Sequence, residues 1–134
     1  MTESQHITLR ELQRRVKSAL EGQFALPLWV SAEISEIKVN YSGHCYLELV
    51  EKGGDNGVPT AQARAVVWRS NYPRIAGYLE AETGQRLAAG IKILAKALVT
   101  YHELYGFSLQ ITDIDPSYTL GDMERQRQQT IDCL

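Results

Sequence analysis

The chain is short of several things, and each shortage closes off a class of protein. It has only two cysteines, Cys45 and Cys133, far apart in its 134 residues, too few for a disulfide framework or for the four close N/S ligands of a structural zinc site. Both read as reduced thiols. No apolar run approaches the roughly 18 residues of a membrane span, and the opening MTESQHITLRELQ lacks the apolar stretch of a signal peptide. A cytoplasmic protein that avoids the membrane is the expectation. There is no excess of basic charge: 14 Lys and Arg against 16 Asp and Glu leave a net charge of −2, so any polyanion site must be a local patch. A phosphate-cradling Gly-Lys-Ser/Thr loop, a metal-ligand quartet, internal repeats and low-complexity tracts are also missing.

What is there is a one-domain quantity of ordinary globular sequence, 44% apolar and 22% charged. Thr8 followed by Leu9, Arg10 and Glu11 is a capping-box pattern that opens a helix. Leu9, Leu12, Val16 and Leu20 make a narrow apolar stripe along it, Arg10, Arg14, Arg15 and Lys17 occupy other faces, and Gly22 and Pro27 bracket its end. From Leu28 the period becomes two: Leu28, Val30, Ala32 and Ile34 share one face of a strand. The inward set then slips to Ile37 and Val39, as a bulge near Ser35 and Glu36 would allow. A turn at Asn40 to Gly43 leads to a second strand, with Cys45, Leu47 and Leu49 on one face and His44, Tyr46, Glu48 and Val50 on the other.

Residues 52–60, KGGDNGVPT, read as a loop. A third strand over Gln62 to Trp68 has Ala63, Ala65 and Val67 inward and Arg64, Val66 and Trp68 outward. Ser70 or Asn71 caps a helix with Pro73 near its start, Ile75, Ala76 and Leu79 on its apolar side and Gly84 at its close. Residues 90–101 and 107–115 are two further strands joined by HELYG, and Asp115-Pro116 stops the last. Thr119-Leu120-Gly121-Asp122 resembles another capping box and is expected to start a final helix that the chain end cuts short, the mark of a fragment of a longer protein. Three strands, a helix and a closing hairpin are the order of a five-stranded Greek-key barrel, the OB-fold, mainly β with flanking helices. The organisation expected is an N-terminal helix over 1–27, the barrel over 28–116, and a helix over 117–134 leading to an absent catalytic domain.

Ala32-Glu33-Ile34-Ser35 and Ser42-Gly43-His44-Cys45-Tyr46 in the first hairpin resemble the large subunit of exodeoxyribonuclease VII. The resemblance continues through Ala63-Arg64-Ala65 to Trp68-Arg69, through Thr100-Tyr101-His102 to Gly106, and at Asp115-Pro116. The 52–60 loop is longer than in some members of that family. The resemblance implies an OB-fold that holds single-stranded DNA, a parent enzyme that degrades such DNA from either end, and small subunits engaged by a helical region downstream. Neither a catalytic site nor a cofactor is expected in this segment.

Strand binding needs aromatic faces for unpaired bases and cations for the phosphates. In an OB-fold the ligand crosses strands two and three and touches the loops between strands one and two and between strands four and five. Those positions hold Tyr41, His44, Tyr46, Arg64, Trp68, Arg69, Tyr101, His102 and Tyr105, five of the chain's eleven aromatics among them. Each also has a plain structural reading: Tyr46 and Trp68 as packing for a terminal helix, His44 as a histidine satisfied by the Ser42 turn. Arg64, flanked by small apolar residues, must face outward or be paired. Lys92 and Lys96 either extend the phosphate track or blunt a sheet edge. The basic face Arg10, Arg14 and Lys17 would add to the track, although a solvated face is the commoner meaning of such a run. His44 and Cys45 form a nucleophile pair only on paper, since strand neighbours point to opposite faces. Asp113 and Asp115 read as solvated carboxylates rather than metal ligands. Rival readings are an OB-fold for structured RNA, of the anticodon-binding type, and a protein-interaction barrel working through its terminal helices.

Overall fold

A computed structural model describes the backbone of residues 6–52 and 58–132, with side chains up to residue 125. Residues 53–57 of the glycine-rich loop and Cys133 lie outside the described residues. The elements run α1 (Leu9–Gln23), β1 (Leu28–Val39), β2 (Cys45–Lys52), β3 (Pro59–Val67), α2 (Tyr72–Thr83), β4 (Lys92–His102), β5 (Gly106–Ile114) and α3 (Pro116–Asp132).

The five strands form a closed barrel in the order β1-β2-β3-β5-β4. All pairings are antiparallel except β3 with β5, a parallel seam with Ala65 opposite Leu109 and Val66 opposite Gln110. This is the expected OB-fold, with α2 between β3 and β4. A five-stranded barrel is narrow, so large inward side chains must face small ones. Ala65, Ala95 and Ala97 supply the small positions against Ile34, Ile93 and Ile111, all buried. The helix α2 adds Ile75 and Leu79 to the same core, each burial contributing roughly 1.5–3 kcal/mol. The bulge expected in β1 is present: Ile34 pairs with Leu49 and Glu36 with Glu48, leaving Ser35 unpaired. The inward phase continues to Ile37, which packs on the core. Val39, expected inward, is exposed at the last position of β1, where it still pairs with Cys45 before the turn.

Several element boundaries depart from expectation. β3 starts at Pro59, not Gln62, because its ladder with β2 continues through Ala61 to Lys52; a proline is tolerated at the first residue of a strand. Val50 and Val66, placed outward by alternation, are buried. α1 makes half of its capping box: the Thr8 hydroxyl accepts from the Glu11 amide, while Glu11 turns to Arg15. α3 starts at Pro116, three residues before the Thr119 pattern. There the Asp115 carboxylate accepts from the Ser117 amide and hydroxyl, and a proline fits the first helical position. Thr119 is inside the helix, 2% exposed, and donates to the Lys92 carbonyl at 2.7 Å. No edge needs blunting by Lys92 or Lys96, since β4 is paired on both sides. Lys92 faces Asp122 of α3 at 3.6 Å, at the opposite end of β4 from the His102 loop.

Candidate nucleic-acid interface

The outer face of the β2–β3 hairpin follows from its inner one. With Cys45, Leu47, Leu49, Ala65 and Val67 turned into the core, Tyr46 and Arg64 face outward on adjacent strands. The register sets Tyr46 against Val66 and Glu48 against Arg64, so the ring and the guanidinium are diagonal neighbours, within reach of one ligand. Arg64 is exposed and has no ion-pair or hydrogen-bond partner among the described residues, because Glu48 turns instead to Gln62.

Barrel closure adds the rest. The parallel seam brings β5 beside β3, with Gln110 opposite Val66, and Thr100 of β4 bonds Ser108 of β5 at 2.9 Å. An open groove of about 580 Å³ results, lined by Tyr46, Arg64, Trp68, Tyr101, His102 and Tyr105 among others. Six of the nine residues expected at the site thus share one groove. Three of its aromatic residues are exposed: Tyr46 44%, Trp68 37% and Tyr105 72%.

Tyr41, His44 and Arg69 are outside the groove lining. Tyr41 stands fully exposed on the β1–β2 turn. That turn is held by the Asn40 side-chain carbonyl, which accepts from the amides of Ser42 and His44, and by Gly43 at φ 94°, where a side chain would be strained. The His44 ring is satisfied, though not by the Ser42 turn: its Nδ1 accepts from the Arg69 amide at 3.0 Å. The His44 and Trp68 rings meet nearly at right angles, with centroids 5.0 Å apart. Trp68 is therefore braced by His44 on one side, while its carbonyl accepts from Asn71 and Tyr72 at the start of α2.

Tyr101 differs from the free ring expected. It is half-buried, and its hydroxyl donates to Gln13 of α1, so it fastens the helix to the barrel. His102 and Tyr105 stack with centroids 4.7 Å apart, and His102 Nδ1 accepts from the Leu104 amide. Sequence reasoning missed Glu21, Thr100, Ser108 and Gln110, and it did not place Lys17 in the same lining. The signal for the β5 pair was its polar alternation with Leu109 and Ile111; its placement beside β3 needed the closed topology.

The charges are sparse but local. Lys17 forms an ion pair with Glu21 at 3.9 Å. The Glu103 carboxyl is held below its usual range, first by a hydrogen bond from its own backbone amide and then by Lys17, His102 and Arg14. Cys45 is fully buried, and desolvation pushes its thiol up to about 11, with the His44 ring on the other face bonded elsewhere. Asp113 accepts from Arg74 and from the Ile114 amide and Asp115 caps α3, so both carboxylates expected to be merely solvated have structural partners. Among the described residues no group of three or more His, Cys, Asp or Glu is placed to hold a metal ion, and no helix is long and apolar enough to cross a membrane.

Comparison with known proteins fits this geometry. The model of the OB-fold nucleic acid binding domain family matches residues 7–115. The exodeoxyribonuclease 7 large subunit of Deinococcus radiodurans is 38% identical over 122 residues, 88% of this chain and 29% of that protein. The large subunit of Nitrosomonas eutropha is 39% identical over 102 residues, 75% of this chain and 19% of that protein. The N-terminal domain of the PriB protein from Thermoanaerobacter tencongensis superposes with a TM-score of 0.42 at 9% identity, over 68% of this chain and 94% of that one, too loosely to argue from. The chain spans less than a third of the length of the curated relatives it matches. A closed β1-β2-β3-β5-β4 barrel, the matching family model and relatives that share one name place the chain in the OB-fold nucleic acid binding domain family, in the form found in exodeoxyribonuclease 7 large subunits.

Proposed function

We propose that this domain binds single-stranded DNA across the β2–β3–β5 groove and positions the strand for exonucleolytic hydrolysis by further parts of an exodeoxyribonuclease VII large subunit. The small subunits are engaged by regions outside this chain, and the setting is the cytoplasm. One observation carries the reading: three exposed aromatic residues, Tyr46, Trp68 and Tyr105, line a single groove with Arg64, whose guanidinium has no partner among the described residues. Unpaired bases stack on such rings at about 1–3 kcal/mol each, whatever the base, while the cation meets the phosphates. Bases already paired in a duplex do not offer their faces, which favours a single strand. Arg69 and Tyr41, at the β1–β2 corner, meet the strand as it leaves the groove past Trp68, with His44 bracing that ring. His102 stacks on Tyr105.

Trp68 reports directly on occupancy. The chain has two tryptophans, and Trp29, on β1 opposite Lys96 of β4, is not among the residues that line the groove. In Trp29→Phe, fluorescence from Trp68 should be quenched by an oligothymidylate and not by a duplex or a folded tRNA. Equal quenching by tRNA would favour the structured-RNA reading. No response to any nucleic acid would overturn the proposal.

A further inference from the structure

We infer that the nucleic-acid site does not end at the barrel: it continues over α1, where Arg10, Arg14 and Lys17 form a second length of phosphate track beside a base-sized apolar hollow. The inference rests on the binding proposed above and extends it to a further part of the same strand.

Three observations carry it. The cations fall at i, i+4 and i+7 of one helix, within about 60° of one another at 100° per residue, and cover roughly 10 Å of its axis at 1.5 Å per residue. At about 3.4 Å per nucleotide along one stacked strand, that distance matches about three phosphates, one for each cation. The helix is fixed in a useful place, since Gln13 is bonded by Tyr101, a residue of the groove itself. Lys17 lines the barrel groove, while Arg10 and Arg14 line a neighbouring hollow of about 500 Å³ with Leu9 and Leu104. His102 borders both, which makes the two continuous.

The second hollow has what a nucleotide requires. Leu9 and Leu104 are exposed apolar surfaces against which a base can lie, next to the stacked His102 and Tyr105 rings. Arg10 and Arg14 make no ion pair or hydrogen bond among the described residues, so both are available to phosphate. The carboxylates that face this region are Glu21, on the groove, and Glu103, on the hollow. Against them stand Arg10, Arg14 and Lys17, with Arg64 across the groove. This region is locally positive in a chain of net charge −2. On this face Lys17 has Glu21 at 3.9 Å, Glu11 is turned to Arg15, and among the described residues neither Arg10 nor Arg14 makes an ion pair.

The test is a salt series on the whole chain with labelled oligothymidylates of increasing length, comparing wild type, Arg64→Ala and the triple variant Arg10→Ala, Arg14→Ala, Lys17→Ala. At about 0.7 per phosphate for single strands, losing three contacts should flatten the slope of log K against log salt by about 2. Between 50 and 200 mM salt the advantage of wild type over the triple variant should then shrink roughly 20-fold. Wild type should also go on gaining affinity with lengths at which the triple variant has levelled off. Circular dichroism of the variant should match wild type, since all three side chains are at the surface. If Arg64→Ala weakens binding while the triple variant keeps the wild-type slope and length dependence, the track over α1 is refuted and the barrel site stands; the basic face then serves something other than nucleic acid. If wild type binds no oligothymidylate, both readings fall.

Discussion

Removing the Arg64 side chain tests the barrel site most directly, because the structure separates its contribution to binding from its contribution to stability. The guanidinium is exposed on β3 and has no partner among the described residues, so Arg64→Ala leaves no buried group unsatisfied. A surface change of this kind lies within about 0.5 kcal/mol. With an unfolding entropy near 2.1 cal/mol/K per residue, about 0.28 kcal/mol/K for this chain, Tm should move by less than about 2 °C. Binding is different. A charge-assisted hydrogen bond contributes about 1.5–3 kcal/mol, and solvent exposure argues for the lower end, so affinity for an oligothymidylate should fall roughly tenfold. The salt slope should become shallower by about 0.7. Charge reversal is the poorer probe: the Cα of Arg64 is directly opposite that of Glu48, and Arg64→Glu would set two carboxylates across the ladder at a cost of about 0.2–1 kcal/mol. Fluorescence titration and thermal melting of Arg64→Ala decide the matter together. Unchanged affinity with a Tm drop of 5 °C or more would show that the arginine is structural and that the reasoning is wrong.

Gly77 is in the interior of α2 with open space where a Cβ would be, so Gly77→Ala should stabilise the fold by about 0.5–1 kcal/mol, read as a higher urea midpoint at constant m. Thr119→Val should destabilise by about 1–3 kcal/mol, since it removes the buried donor to the Lys92 carbonyl; a neutral result in chemical denaturation would mean that the start of α3 is not seated on β4. Cys45 gives a pH dependence. Its folded thiol is raised from 9.0 to about 11, so its contribution to stability is complete below pH 9 and is lost as pH rises through 11. In a Cys133→Ser background, native protein at pH 8 should resist a thiol reagent that labels the urea-unfolded chain at once; rapid native labelling would contradict the burial of this side chain.

Much of this protein is determined locally, and for that reason it is legible in the order of its residues. Alternation of Cys45, Leu47 and Leu49 with Tyr46 and Glu48 sets which face of β2 is wet, and the slipped phase after Ile34 marks the bulge, because side chains on a strand have a period of two wherever one face is buried. Thr8 and Gly84 punctuate helices through backbone groups only a few residues away, whereas Asn71 occupies the cap position of α2 without a side-chain cap bond. The start of α3 is ambiguous in the sequence because two local signals compete there, Asp115-Pro116 and Thr119, and packing against β4 gives Thr119 a distant carbonyl in place of a cap. Long-range partners decided the rest. Nothing in residues 62–68 or 106–114 says that β5 will lie parallel to β3, yet that seam brings Ser108 and Gln110 to Arg64. Tyr101 reads as one more aromatic at a loop and becomes the anchor for α1; Lys17 reads as part of a solvated face and becomes a wall of the groove. Polarity and period are properties of neighbours along the chain, whereas a groove is made by strands and helices that meet only when the barrel closes.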